Sequence, residues 1–411
     1  MIFMVEFSFE ILARDKNSRA RTGLIKTRRG TIETPYVVPV ATCAAVRGLD
    51  SADLGKIGTQ CVLANTYHLH LQPGDEKIRK LNGLHGFMNY NKPIFTDSGG
   101  YQAFSLGAGT LYGVRKIGHF PEGKKPKDIK KEKELHAQVS DKGVRFKSIY
   151  DGSYQLMNPE ISMRIQSNLG SDIIMAFDEC TSQLHDYSYV RTSMERTHRW
   201  ALDSLRYHNK EQALYGIIQG GFFQDLRNES TRFIKNLEND GIRFDGIAIG
   251  GSLGDTKKDM HQILEWIIPE LENDDRPRHL LGIGWVDDIF ECVERGIDTF
   301  DCVQMTRTAR HGELYINPEN GGSKKNKFRI EIEKTKYNED ERKIDENCNC
   351  HTCQYHTRAY LHHLYKINEF SYFRLATIHN THFILDLMSQ IRESIKDGSF
   401  TELKEKWLGG N

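Results

Sequence analysis

Apolar residues in this chain gather into short, mostly unbroken runs bounded by glycine or polar residues. Eight such runs, at 34–40, 61–66, 93–97, 173–178, 214–219, 246–250, 279–283 and 299–303, are rich in aliphatic residues and have the continuity of strands covered on both faces. Between them the period changes. Val190, Met194, Thr197, Ala201 and Leu205 fall on one helical face, and helices also fit 224–238, 256–272 and 286–295,. Asn158-Pro159 reads as an N-cap with proline at the first helical position, and Gly296 closes the helix before the last run,. Eight buried strands alternating with helices predict an α/β chain built as a (β/α)8 TIM barrel, with a doubly wound open sheet as the competing arrangement.

Six of the runs end in a polar residue or glycine: Thr96-Asp97-Ser98-Gly99-Gly100, Phe177-Asp178-Glu179-Cys180, Gln219-Gly220-Gly221, Gly250-Gly251-Ser252, Gly282-Ile283-Gly284 and Asp301-Cys302. In a barrel these positions converge on the C-terminal mouth, where active sites are built and glycine lets a ligand approach the backbone. Two segments interrupt the alternation. Residues 107–147 carry a lysine-rich run, Lys124 to Lys133, too long for an ordinary βα loop, and read as a lid or an insertion in the barrel of residues 1–315. Residues 316–357 read as a small subdomain placed after the last strand, and 358–411 as closing helices.

Composition narrows the choice only a little. With 411 residues, 38% of them hydrophobic, the chain can bury one large core,. Its formal net charge is zero, which supplies no global field for steering a polyanion, so any nucleic-acid contact must rest on local basic patches. The N-terminal residues lack the basic flank and cleavage site of a leader, and no apolar stretch approaches the roughly 18 residues of a membrane span. A cytoplasmic protein with no membrane contact is expected. Of eight cysteines, five are scattered and three are clustered, which suggests a metal site in a reducing compartment.

That cluster, Cys348-Asn349-Cys350-His351-Thr352-Cys353, offers three thiolates to a tetrahedral zinc ion; His351, His356, His362, His363, His379 and His382 are all candidates for a fourth ligand,. With four protein ligands the site would be structural. Asp97 and Asp301 each end a strand, and two carboxylates at one mouth can divide into a nucleophile and an acid/base, as retaining glycosyl transfer requires. An Asp before Ser-Gly-Gly serves equally well as a helix N-cap. Asp178 and Gln219 present an acceptor and an amide suited to the edge of a heterocyclic base, and Tyr101 an aromatic face. Arg307 and Arg310 suit phosphates or bases of a polynucleotide, or a small phosphorylated substrate.

Phe95-Thr96-Asp97-Ser98-Gly99-Gly100-Tyr101-Gln102, Met175-Ala176-Phe177-Asp178-Glu179-Cys180, Gly216-Ile217-Ile218-Gln219-Gly220-Gly221, Phe300-Asp301-Cys302-Val303 and Thr306-Arg307-Thr308-Ala309-Arg310 together resemble the tRNA-guanine transglycosylases of bacterial type, the queuine tRNA-ribosyltransferase family. The likeness runs in order from about residue 5 to 405. It implies a barrel with a zinc-binding subdomain inserted near its C-terminal end, and exchange of the wobble guanine of target tRNAs for a free 7-deazaguanine in queuosine biosynthesis. Asp301 would be the nucleophile and Asp97 the proton acceptor and donor. Ser98, Gly99, Gly100, Asp178, Gln219, Gly250 and Gly251 would hold the base, with Tyr101 and Leu281 on its faces. Gly282, Ile283, Gly284, Trp285, Val286, Asp287 and Asp288, with Thr306, Arg307, Thr308, Ala309 and Arg310, would hold the anticodon loop. The Thr-Ile-His-Asn context of the family selects His379 as the zinc ligand beside Cys348, Cys350 and Cys353, one structural Zn2+ per chain, and a homodimer is implied.

The sequence departs from the family pattern in places. Met305 replaces a usual proline and Trp285 a usual lysine, and the loop Gly250 to Asp255 is one residue shorter and ends in Asp where Glu is usual. Cys180 beside Asp178 resembles enzymes that take 7-aminomethyl-7-deazaguanine, with the 7-cyano base and queuine as alternatives. Two other readings are a non-catalytic RNA-binding partner subunit of a two-chain transglycosylase, which should have lost one acid, and a relative that exchanges bases in DNA.

Overall fold

The computed structural model describes residues 7–104 and 137–409; the lysine run at 124–133 lies outside them. The chain opens with an antiparallel sheet, β1 (Ser8–Arg14), β2 (Arg21–Thr27) and β3 (Gly30–Thr34), which the apolar pattern did not predict. The first three barrel strands follow: β4 (Tyr36–Ala41), β5 (Val62–Ala64) and β6 (Ile94–Thr96). A second antiparallel sheet, β7 (Ala137–Ser140), β8 (Gly143–Lys147) and β9 (Tyr154–Met157), contains the described C-terminal part of the segment read as a lid or an insertion at 107–147, and extends past it. Phe146 of this sheet is buried, with its ring 5.1 Å from that of Tyr67.

The remaining barrel strands are β10 (Ile173–Met175), β11 (Ala213–Ile218), β14 (Gly246–Ile249), β15 (Arg278–Leu280) and β16 (Thr299–Cys302), with a short antiparallel pair, β12 (Glu238–Asn239) and β13 (Ile242–Arg243), between β11 and β14. All eight predicted runs are therefore strands. They pair in parallel and close, with Ile173 opposite Phe95 and Thr299 opposite Tyr36, so the doubly wound alternative is excluded. Between strands lie α1 (Ser51–Ile57), α2 (Thr66–Leu71), α3 (Asp75–Lys80), α4 (Gly83–Met88), α5 (Pro159–Leu169), α6 (Tyr187–Tyr207), α7 (Gln224–Asn236), α8 (Lys257–Ile267) and α9 (Val286–Glu294). Asn158 caps α5 by accepting a hydrogen bond from Ile161 N at 2.9 Å, with Pro159 at its start as expected,.

After α10 (Gln304–Arg310) come β17 (Glu313–Tyr315), β18 (Arg329–Glu331), α11 (His351–Tyr355), α12 (Arg358–Lys366), α13 (Phe370–Asp397) and α14 (Phe400–Leu408). The 28-residue α13 packs against β4 and α10, so the helix that covers the seam between the last and first strands arrives late in the chain. Among the described residues no helix is long and apolar enough to cross a membrane.

Side-chain alternation along the strands positions the site. Tyr36, Val38, Leu63, Phe95, Ile173, Met175, Tyr215, Ile217 and Ala248 share one cluster inside the barrel, while Val37, Ile174, Leu214, Ile247 and Phe300 pack outward under the helices. Continuing the inward set by one step of two carries Phe95 to Asp97, Ile217 to Gln219, His279 to Leu281 and Thr299 to Asp301. Four candidate residues thus point into one mouth for a single geometric reason.

The opposite end is held by a buried ion pair. Arg21 of β2 donates from Nε and Nη2 to the two oxygens of Asp298 at 2.9 and 2.7 Å, both side chains no more than 1% exposed. Asp298 also accepts from Arg278 N at 2.7 Å. Removing one partner strands the other charge away from water. Arg21→Met is expected to lower unfolding free energy by about 3–5 kcal/mol, measured by urea denaturation; a loss under about 1 kcal/mol would show that the N-terminal sheet is not fastened there.

Candidate active site and metal centre

Asp97 follows β6 and is partly accessible. Its side chain accepts from Thr66 N at 2.9 Å and from the Asn65 amide, so it sits against the first turn of α2, and the Gly99 amide in the turn that follows also bonds it. Burial pushes its carboxyl up to about 7; the Thr66 hydrogen bond opposes the rise and the negative charge of Asp301 adds to it,. The two acids therefore feel each other across the mouth.

Asp301, 16% exposed, accepts through Oδ1 from Gly282 N at 3.1 Å, and the same oxygen lies 3.2 Å from His279 Nε2. His279 was not singled out from the sequence, although it shares the inward parity of Leu281. Asp178 accepts from Ser98 Oγ at 2.9 Å and from Gln219 Nε2 at 2.7 Å, and burial pushes its carboxyl up to about 6 against these bonds. Gln219 Oε1 is buried without a partner, an acceptor left over for a ligand,. Gly100 must lack a side chain, because a Cβ there would lie 2.6 Å from the Asp178 carbonyl. Gly251 has φ +83° and its missing side chain leaves room for the Gln219 carboxamide. Leu281, whose side chain lies against Gly250, and Tyr101, next in the chain to Gly100, are both partly accessible.

Arg227 of α7, also unmarked in the sequence, is fully buried among backbone carbonyls. It donates to Gly221 O at 2.7 Å, Ile218 O at 3.2 Å, Gly250 O at 2.9 Å and Ser252 O at 2.9 Å. One guanidinium thereby fixes the loops that carry Gln219 and Gly251. It also lies near Cys180, whose thiol is buried and pushed up, first by that burial and then by Asp178.

The segment expected to meet RNA divides by accessibility. Ile283, Gly284, Val286, Asp288, Thr306, Thr308 and Ala309 are buried, while Gly282, Trp285, Asp287, Arg307 and Arg310 are partly accessible. Asp288 is fully buried and pairs with Lys257 at 2.9 Å, joining α8 to α9. Lys327 and Arg329 lie 5.7 and 4.7 Å from the Trp285 ring. Burial, then the charges of Arg47 and Arg307, hold Arg310 below its ordinary value, so three arginines crowd one face. Met305 is only 2% exposed and packs in the core, so its replacement of proline is a matter of packing.

Away from the mouth, Cys348, Cys350, Cys353 and His379 are buried with their ligand atoms within 4.8 Å of one another, a cluster able to hold a metal ion. His379 Nδ1 lies 3.6, 3.6 and 3.3 Å from the three sulfurs. A tetrahedral ion about 2.3 Å from sulfur and about 2.0 Å from nitrogen would need roughly 3.5 Å. His379 Nε2 donates to Tyr315 O at 2.8 Å, which leaves Nδ1 free to ligate,. Of the six candidate histidines it is the one brought into the cluster, although His382 Nδ1 is 3.7 Å from Cys348 Sγ at its edge.

A family model described as queuine tRNA-ribosyltransferase matches residues 15–410. A protein of Archaeoglobus fulgidus, provisionally named a queuine tRNA-ribosyltransferase, is 53% identical over 396 residues, 95% of this chain and 97% of its own length. Proteins named queuine tRNA-ribosyltransferase from Roseiflexus sp. and Fusobacterium nucleatum are each 41% identical, over 98% and 96% of this chain and 99% and 96% of their own.

Metal content checks the cluster directly. Elemental analysis of purified protein is expected to give one ion per chain, lost in His379→Ala, with a lower melting temperature that added metal restores only in the unmutated chain. Equal metal content in the two proteins would remove His379 from the ligand set.

Proposed function

The chain belongs to the queuine tRNA-ribosyltransferase family, a family of transferases acting on tRNA, and from that membership we propose that it exchanges the wobble guanine of target tRNAs for 7-aminomethyl-7-deazaguanine through a covalent ribosyl-aspartate. The observation that carries the reading is the pairing of Asp97 and Asp301. One acid is desolvated enough to keep its proton near neutrality, and the other is held by fixed donors at the same mouth.

The wobble guanine leaves the anticodon stack for the mouth, an extrusion that costs least in an unpaired loop. Asp178 accepts from the base edge, with Gln219 Oε1 and the Gly250–Gly251 backbone beside it and Tyr101 and Leu281 on its faces. Asp301 attacks C1′ opposite the base; the C1′–N9 bond breaks, and guanine leaves with the proton of Asp97. The incoming 7-deazaguanine returns a proton to Asp97, its N9 attacks C1′, and the bond to Asp301 breaks. Two displacements retain configuration, and no external energy source is required. Arg307 and Arg310 hold phosphates of the anticodon loop, and Trp285, flanked by cations, supplies a stacking face.

Zn2+ is the metal proposed for the Cys3His cluster, because thiolates with one imidazole in a closed tetrahedral set favour it and leave no open catalytic position. Exposed rings on the neighbouring helices, Tyr355 at 69% and Phe370 at 86%, support a homodimer formed through this region. A cytoplasmic location follows from the tRNA substrate. Retention of both acids argues against a non-catalytic partner subunit.

Asp301→Asn is expected to lower exchange by on the order of a thousandfold or more and to abolish denaturant-resistant tRNA adduct; adduct in that variant would remove Asp301 as nucleophile. Base exchange assayed with labelled 7-aminomethyl-7-deazaguanine, the 7-cyano base and queuine should favour the first, on tRNA and not on DNA of the same sequence. The pH profile gives a separate check. Because the Asp97 carboxyl is raised, its proton-bearing form is present below about 7 and lost above it, so kcat/KM for tRNA should fall about tenfold per pH unit on the alkaline side. A profile flat from pH 6 to about 9 would sink the assignment of Asp97 as proton donor.

A further inference from the structure

His279 is the buried group at the mouth that the chemistry above leaves without a part. Its ring is fully buried on the inward side of β15, stacked on Phe95 with centroids 5.7 Å apart and planes 24° apart. Nδ1 lies 2.9 Å from Thr299 Oγ1, and Nε2 lies 3.2 Å from Asp301 Oδ1. An ionised carboxylate only accepts, so Nε2 must carry the hydrogen; Thr299 can then donate its hydroxyl hydrogen to Nδ1. Gly282 N donates to the same Oδ1 at 3.1 Å. Among the described residues, Asp301 Oδ2 accepts no hydrogen bond.

We propose that His279 is a positioning residue which, with the Gly282 amide, holds Oδ1 of Asp301 so that Oδ2 is the attacking atom, and which chiefly promotes the second displacement. The inference rests on the double displacement proposed above. When Oδ2 bonds to C1′, Oδ1 becomes the carbonyl oxygen of an ester and keeps the same two donors. As the incoming base forms its N9–C1′ bond, the Oδ2–C1′ pair returns to the carboxylate and negative charge grows again on Oδ1. The hydrogen bonds strengthen along that step, so they favour release of the sugar from Asp301. In the first displacement charge leaves the carboxylate, and the same bonds give no such assistance. A donor at Oδ1 therefore shifts the balance between the two steps, which a residue that only filled space would leave alone.

The near-isosteric pair His279→Met and His279→Gln separates the donor from the volume, since glutamine places an N–H close to where Nε2 stands. Denaturant-resistant adduct is formed on labelled tRNA without incoming base, then chased with 7-aminomethyl-7-deazaguanine, so each displacement has its own rate. His279→Met is expected to slow the chase about tenfold while adduct formation changes less, with His279→Gln recovering most of the difference. Thr299→Val, a smaller change, frees the imidazole to turn its donor away and should slow the chase in the same sense. Equal slowing of both steps in the folded variants, glutamine no better than methionine, or an unchanged chase in Thr299→Val would overturn the role of His279. Failure of the unmutated enzyme to form adduct would instead remove the double displacement itself.

Discussion

Two carboxylates share one narrow, partly dry barrel mouth, and leaving both ionised there is costly. Burial and the nearby charge of Asp301 raise the Asp97 carboxyl to about 7, while Asp301 accepts from the Gly282 amide and lies against His279 Nε2. In the proposed mechanism this asymmetry gives one residue type two roles. Even so, Asp97 is not isolated. Its oxygens meet the first turn of α2, whose amide moderates the shift and keeps the proton exchangeable near neutrality instead of permanently bound.

Around this pair the structure is concerned with holding loops still. Part of the wall of the proposed base site is glycine backbone at Gly220–Gly221 and Gly250–Gly251, which has no side chains of its own to lock it. Arg227 supplies the lock by donating to carbonyls on both sides of the site, and no carboxylate competes for it in those bonds. The short Gly250 to Asp255 loop is fastened at its far end, where Asp259 accepts from the amides of Asp255 and Thr256 at 2.8 and 2.9 Å. Rigid backbone is what discrimination between closely related bases requires.

The metal cluster reaches the arginine helix through two adjacent residues of α13. His379 joins the cluster to the Tyr315 carbonyl. Next to it, Asn380 accepts from Tyr315 N and donates to Met305 O, Thr308 Oγ1 and Glu313 O. The helix that presents Arg307 and Arg310 is therefore anchored beside the cysteine–histidine cluster. Its buried face, including Met305, belongs to the core, while Arg307 and Arg310 stay partly accessible.

Strand number, order and approximate limits were legible because eight buried runs differ in period and composition from the helices between them. Asp97, Asp178, Gln219 and Asp301 were legible as strand ends, and the cysteine spacing as a metal site. The N-terminal sheet was not, since β1 alternates between partly and fully exposed positions and carries little apolar signal. Sequence spacing also left six histidines equivalent, and only packing brought His379 to the thiolates. His279 and Arg227 look like ordinary residues in a strand and a helix. Their importance depends on which atoms lie opposite them once the barrel closes, and closure is a long-range event that no local pattern encodes. The sequence by itself determined which side chains stand at the mouth, because a period of two follows from the backbone. The tertiary structure decided which carboxyl keeps its proton and which oxygen is left open, because burial and hydrogen-bond donors come from strands far apart in the chain.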